Sequence, residues 1–143
     1  SRNNILEGIK KLNEEGATII YTTHYMEEVE QLCDRIIILD KGVVIASGTK
    51  EELKELIDIE EKVTIEFEEI AEEQVKNICK MKHVVDSELK GNTLYLSYEK
   101  GKHNLSDLID YLKDEKILYH TIFSEKPTLN DVFLSLTGKE LRD

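Results

Sequence analysis

17-ATIIYTTHYMEEVEQLCDRIIILDKGVVIASGT-49 carries most of the information about the first half of this chain. Residues 17–23 combine apolar side chains with threonines and are rich in β-branched residues. That composition predicts a strand buried on both faces, as in a parallel sheet flanked by helices. Met26, Val29 and Cys33 then recur on one face of a short helix. The run 36-IIIL-39 predicts a second buried strand. Asp40-Lys41-Gly42 reads as a turn that sends 43-VVIAS-47 back as a hairpin partner. Thr49 predicts the cap of a short helix, with Glu52 three residues on to complete a capping box. Upstream, Ile5, Ile9 and Leu12 fall at helical spacing, and Gly16 stands where that helix would stop.

The pattern changes after the short acidic join at 57–61. The stretch 62-KVTIEFE-68 alternates strictly, as a strand with one wet face does. A helix follows over 70–80, with Ala71, Val75 and Ile78 inward, then strands at 83–90 and 93–99 joined by the turn pair Gly91-Asn92. Leu105, Leu108, Ile109 and Leu112 mark an amphipathic helix, and 117-ILYHTIF-123 a further strand. Leu129, Val132, Phe133 and Leu136 mark a last helix, capped by Thr128 and ended near Gly138. The order over 62–123 is β-α-β-β-α-β, the split arrangement of a ferredoxin-like domain. The expected organisation is therefore an α/β piece over 1–56, a join at 57–61, and a ferredoxin-like α+β domain with an appended helix over 62–143.

The chain has 143 residues, 40% apolar and 34% charged, within the range of ordinary globular proteins. A net charge of -11 argues against a nucleic-acid partner, because phosphate binding needs a basic face. Tyr95 and Tyr119 have the rings that RNA-binding sheets use, but acidic residues outnumber basic ones in 57–143. Cys33 and Cys79 read as reduced thiols. The chain opens on Ser1 and runs at once into a helical pattern, which suggests part of a longer protein.

His24 stands at the C-terminal end of the first expected strand, the edge beside which open α/β sheets bind ligands. By position alone it admits three readings: a packed or capping histidine, a metal ligand, or a phosphate contact. The metal reading lacks support, since no second ligand lies at i+4 or in a C-x-x-C. Glu27 and Glu28 read as a solvated helix face near an N-terminus, Asp34 as a turn residue, and Gly42 and Gly48 as backbone punctuation. Cys79 and His83 have a C-x₃-H spacing but straddle an expected helix end. His103 and His120 carry no partner pattern.

The whole run 17–49 resembles the distal ATPase segment of ABC transporter nucleotide-binding subunits. The matching elements are His24 at a strand end, Glu27-Glu28 on the next helix, Asp34-Arg35 before the next strand, Gly42 in the turn and Gly48 closing the hairpin. Ser1-Arg2 fits the start of the helix after the family's D-loop. Residues 62–138 resemble a C-terminal extension found on some bacterial ABC ATPases of the exporter or ABC-2 type, and the tail 127-PTLNDVFLSLTGKEL-141 resembles the ending of that subgroup, through Pro127, Leu129, Asp131, Val132, Phe133, Leu136, Thr137 and Gly138. The resemblance implies that residues 1–56 are a remnant of a P-loop NTPase domain and that His24 is the switch histidine contacting the γ-phosphate and attacking water. ATP and magnesium would serve the full-length protein.

It further implies a second ATP-binding subunit as dimer partner, membrane-spanning permease subunits, and a peripheral place on the cytoplasmic face of the membrane. The glycine-rich phosphate loop, the Asp-Glu strand end and the Leu-Ser-Gly-Gly signature of the family do not occur in these residues. This chain by itself is therefore expected to lack ATPase activity and to hold no cofactor. It is also expected to self-associate through open sheet edges. Two rival readings remain at this level: a non-catalytic regulatory, ligand- or partner-binding module, and an ABC-class ATPase with no transport role.

Overall fold

Lys41 and Gly42 both take positive φ (51° and 76°) in the computed structural model, which describes residues 1–138. A two-residue turn needs that backbone if its twist is to match the flanking strands. β1 (Ile36–Asp40) therefore folds back on β2 (Val43–Gly48) as an antiparallel pair, with Leu39 opposite Val44 and Ile37 opposite Ser47. A register shift between Ile38 and Leu39 marks a bulge in this hairpin. Ile36 and Ile38 are buried, whereas Ile37 and Leu39 are exposed. The expectation of a second buried strand is corrected to a strand with one covered face, while the hairpin pairing of 36–39 with 43–47 is as expected.

Residues 17–23 depart further from expectation. They form no strand, and Ile20 is 93% exposed. The physical reason is pairing. A strand exists by exchanging backbone hydrogen bonds with a neighbour, and among the described residues these find no ladder partner. Their β-branched composition is a preference that pairing alone makes into structure.

The chain divides into two compact units, Ser1–Leu56 with the segment from Thr128 onward, and Ile57–Pro127. The first holds α1 (Arg2–Glu14), α2 (Met26–Leu32), the β1–β2 hairpin, α3 (Lys50–Lys54) and α6 (Leu129–Thr137). Thr49 Oγ1 accepts the Glu52 N–H at 3.1 Å and so caps α3, one of the two bonds of a capping box. Both bonds form at α6: Thr128 Oγ1 accepts the Asp131 N–H at 3.3 Å, and Asp131 Oδ2 accepts the Thr128 N–H at 2.7 Å. Gly138 ends this helix at φ 71°.

The sequence reading appended α6 to the 62–143 domain, yet α6 packs on α2 and α3 of the first unit. Glu30 on α2 shows why. Its Oε1 accepts the Leu129 N–H at 3.2 Å and pairs with Lys54 Nζ on α3 at 3.1 Å, while its backbone carbonyl accepts from Lys50 Nζ at 2.8 Å. Leu129 opens α6, so its N–H has no acceptor within the helix, and an acid there also suits the helix dipole. Residues 139–143 of the expected domain lie outside the described residues.

The second unit runs β3 (Glu61–Phe67), α4 (Glu72–Cys79), β4 (Val84–Lys90), β5 (Thr93–Tyr98), α5 (Asn104–Asp114) and β6 (Tyr119–Glu125). The strands form a four-stranded antiparallel sheet in the order β4-β5-β3-β6. Alternation places Val63, Ile65 and Phe67 on the face that carries Leu94, Leu96 and Tyr98, with Ile65 opposite Leu94 and Val63 opposite Leu96. Ile78 of α4 and Leu108 and Leu112 of α5 complete this core. Gly91, at φ 61°, turns β4 into β5 as expected. The sixth strand starts two residues later than the sequence suggests. Ile117 is buried beneath the end of α5, where its N–H donates to the Leu112 carbonyl at 2.9 Å.

Candidate functional site

His24 lies in the bend between the extended segment 17–23 and α2, and it is exposed. Its ring centroid is 4.4 Å from that of Tyr25, with the planes tilted by 32°. The residues flanking it are held tightly. Tyr25 N–H donates to Thr23 Oγ1 at 3.0 Å, which closes a short turn across His24. Thr23 Oγ1 in turn donates to Glu28 Oε2 at 3.3 Å.

Glu28 is the unexpected member. The sequence reading placed it with Glu27 on a solvated helix face; Glu27 is exposed, but Glu28 is only 6% exposed. A carboxylate leaves water only where donors replace it. Here Tyr21 Oη donates to Oε2 at 2.5 Å, Thr23 reaches the same oxygen, and Arg2 Nε pairs with Oε1 at 3.3 Å. The hydrogen bond to Glu28 raises the Tyr21 pKa above its ordinary value, with burial and the carboxylate charge acting in the same direction. Arg2 has a second role: its Cζ lies 4.4 Å from the centroid of the Tyr25 ring. The extended segment, the first turn of α1, α2 and the His24 bend therefore meet at one buried carboxylate.

A signal for Glu28 was present in the sequence but weak. Tyr21 and Thr23, two apart on an extended segment, put two hydroxyls on one side. Such donors need an acceptor nearby, and Glu28 is within one helical turn of the bend.

The remaining candidates are scattered. Asp34 is exposed ahead of β1. Cys33 is half-buried, and that burial, with the Asp34 charge, pushes its thiol pKa up. Cys79 is packed against the core of the second unit. His83, at φ 73°, has Nδ1 3.4 Å from Glu99 Oε1, and His120 is exposed on β6. His103, at φ 64°, precedes α5. Among the described residues, no group of three or more His, Cys, Asp or Glu side chains is placed to hold a metal ion. Nor is any helix among them long and apolar enough to cross a membrane. An exposed imidazole that can donate or accept one hydrogen bond, on a bend anchored from both flanks, is what the arrangement offers chemically.

Comparison with known proteins gives this geometry a context. Residues 48–137 match the family model described as ATP-binding protein DrrA1-3-like, C-terminal domain. The chain is 39% identical over 147 residues to the linearmycin resistance ATP-binding protein LnrL of Bacillus subtilis (strain 168), covering 100% of this chain and 47% of the relative. It is 33% identical over 145 residues to the Nod factor export ATP-binding protein I of Rhizobium meliloti (strain 1021), covering 100% of this chain and 40% of the relative. A similar match, 33% over 144 residues, joins 96% of this chain to 44% of the daunorubicin resistance ATP-binding protein DrrA2 of Streptomyces coeruleorubidus. The chain thus spans less than half the length of these curated relatives.

Proposed function

The chain belongs to the family of DrrA1-3-like C-terminal domains of ATP-binding proteins, and on that premise we propose that it is the C-terminal portion of an ABC transporter ATP-binding subunit. The observation that carries this reading is end-to-end similarity: 100% of the chain aligns with LnrL at 39% identity, so the His24 segment and the 57–127 unit fall within a single match. Relatives named for linearmycin resistance, daunorubicin resistance and Nod factor export favour an exporter over an ABC-class ATPase without transport.

In this reading residues 1–56 form the distal edge of the ATPase domain, a remnant of the P-loop NTPase fold. His24 contacts the γ-phosphate and the attacking water. Phosphoryl transfer depends chiefly on positioning and charge stabilisation, which an exposed, anchored imidazole can serve by one hydrogen bond. The phosphate cradle and metal ligands would come from the remaining length of such a subunit. The unit 57–127 reads as ferredoxin-like, supported by its β-α-β-β-α-β order and its β4-β5-β3-β6 sheet. Its role would be regulation or dimer contact. The working assembly pairs two ATP-binding subunits beneath membrane-spanning permease subunits on the cytoplasmic face.

The deciding experiment replaces His24 in a longer protein that carries both the phosphate-binding loop and these residues. His24→Ala is expected to lower ATP turnover by on the order of 10²-fold while ATP still binds. Unchanged turnover would overturn the assignment.

A further inference from the structure

We propose that Glu28 is the positioning residue of the His24 bend, setting where the imidazole points without touching the nucleotide itself. The inference rests on the reading of His24 as the phosphate contact, and it deepens that reading. Each neighbour of His24 leads back to this one carboxylate. On the N-terminal flank, Thr23 Oγ1 donates to Glu28 Oε2 and accepts the Tyr25 N–H, so a single hydroxyl ties the carboxylate to the backbone on the far side of His24. One residue pair further back, Tyr21 Oη donates to the same oxygen and holds the extended segment against α2. On the C-terminal flank the link runs through a cation: Glu28 Oε1 pairs with Arg2, Arg2 lies over the Tyr25 ring, and the Tyr25 ring lies against His24.

Geometry and burial separate Glu28 from an incidental surface acid. It is 6% exposed, and both of its oxygens are engaged. Arg2 is largely exposed; without the carboxylate only the weaker attraction of the ring itself would hold its long side chain over Tyr25. Among the described residues, 17–23 find no strand ladder, and the Glu28 hydrogen bonds fix the segment that ends in His24. A backbone held in one place at both flanks lets an imidazole reach one point repeatedly, which is what positioning a phosphate and a water requires.

The test compares Glu28→Gln with the exposed neighbour Glu27→Gln. In the 143-residue chain, NMR would follow the Tyr25 ring-current shift on the His24 ring protons and the contact between the two rings. Glu28→Gln is expected to move the His24 resonances toward those of a free histidine and to weaken the ring contact, with Glu27→Gln leaving both in place. Arg2→Ala, which leaves the carboxylate and its two hydroxyl donors intact, is expected to release the Tyr25 ring partially; it serves as the second variant should Glu28→Gln fail to fold. In a longer protein with the phosphate-binding loop, Glu28→Gln is expected to lower kcat about tenfold with little change in KM for ATP. Glu28→Asp should recover part of that loss.

An unchanged His24–Tyr25 ring contact in Glu28→Gln, or in Arg2→Ala if that variant must stand in, would overturn the proposal. So would a rise in KM with kcat intact. If His24→Ala leaves turnover untouched, the phosphate-contact reading fails, and the NMR comparison still decides whether Glu28 positions the bend.

Discussion

Tyr98 shows what one atom can do to a core. The residue is 1% exposed, and its phenol oxygen has no hydrogen-bond partner among the described residues; Glu61 Oε1, on the residue directly across the strand pair, is in the same condition. Leaving a hydroxyl dry and unbonded costs about 1–3 kcal/mol. Tyr98→Phe removes that hydroxyl and keeps the ring that fills the space beside Leu96 and Val63, so it is expected to stabilise the second unit by about 1 kcal/mol. Thermal unfolding would register a higher midpoint; a lower one would show that the hydroxyl is satisfied in solution. Burial, then the charges of Glu61 and Asp107, push the Tyr98 pKa up to about 12 from 10.0. The neutral phenol is thus favoured in the folded state. Its stabilising effect is complete below pH 10 and declines as pH rises toward 12. Tyr98→Phe should lose that particular decline.

Among the elements, α6 depends most visibly on a residue far away in sequence. Its capping box is local, but the acceptor for its first N–H is Glu30, which also pairs with Lys54. Glu30→Ala would leave the Leu129 N–H without its partner and Lys54 without its acid, at a cost on the order of 1–2 kcal/mol. Hydrogen exchange should show the loss as faster exchange through the first turn of α6, with β3–β6 unaffected. Glu30→Gln keeps an acceptor oxygen and is expected to restore much of the protection. Equal exchange in all three proteins would mean that the capping box alone holds the helix. The helices and hairpins with local signals were legible beforehand: the Gly91-Asn92 turn, the Lys41-Gly42 turn and the Thr128–Asp131 cap each follow from residues within four positions of one another. The partner of α6 was not legible, because a contact between residues 30 and 129 leaves no local pattern.

At the scale of the molecule, the first unit exposes Ile37, Leu39 and Val44 on one face of its hairpin. An apolar face of this kind marks a site of association, and in the proposed subunit it would pack against the rest of the ATPase domain. In the 143-residue chain on its own, it is expected to drive self-association. Sedimentation in the micromolar range should give a species larger than a monomer, and Ile37→Lys with Leu39→Lys should return it to a monomer. A monomer at every concentration would remove this surface from consideration. The candidate site was legible only in part for a related reason. His24 stands out by its place after an apolar run, whereas the importance of Glu28 emerges only when Arg2, Tyr21 and Thr23 are brought around it.

Several features followed from the sequence alone, because periodicity, turn residues and caps act over a few positions: the order of helices and strands from 36 onward, the positive-φ turns, the alternating core of β3 and β5, and the resemblance that singled out His24. Tertiary structure decided the rest. It left residues 17–23 without a ladder, because pairing is a property of two segments. It assigned α6 to the first unit through Glu30, and it turned an acidic pair on a helix into one exposed glutamate and one buried organiser. A charge can be buried only where the fold gathers donors to replace water, and no stretch of sequence states where those donors will come together.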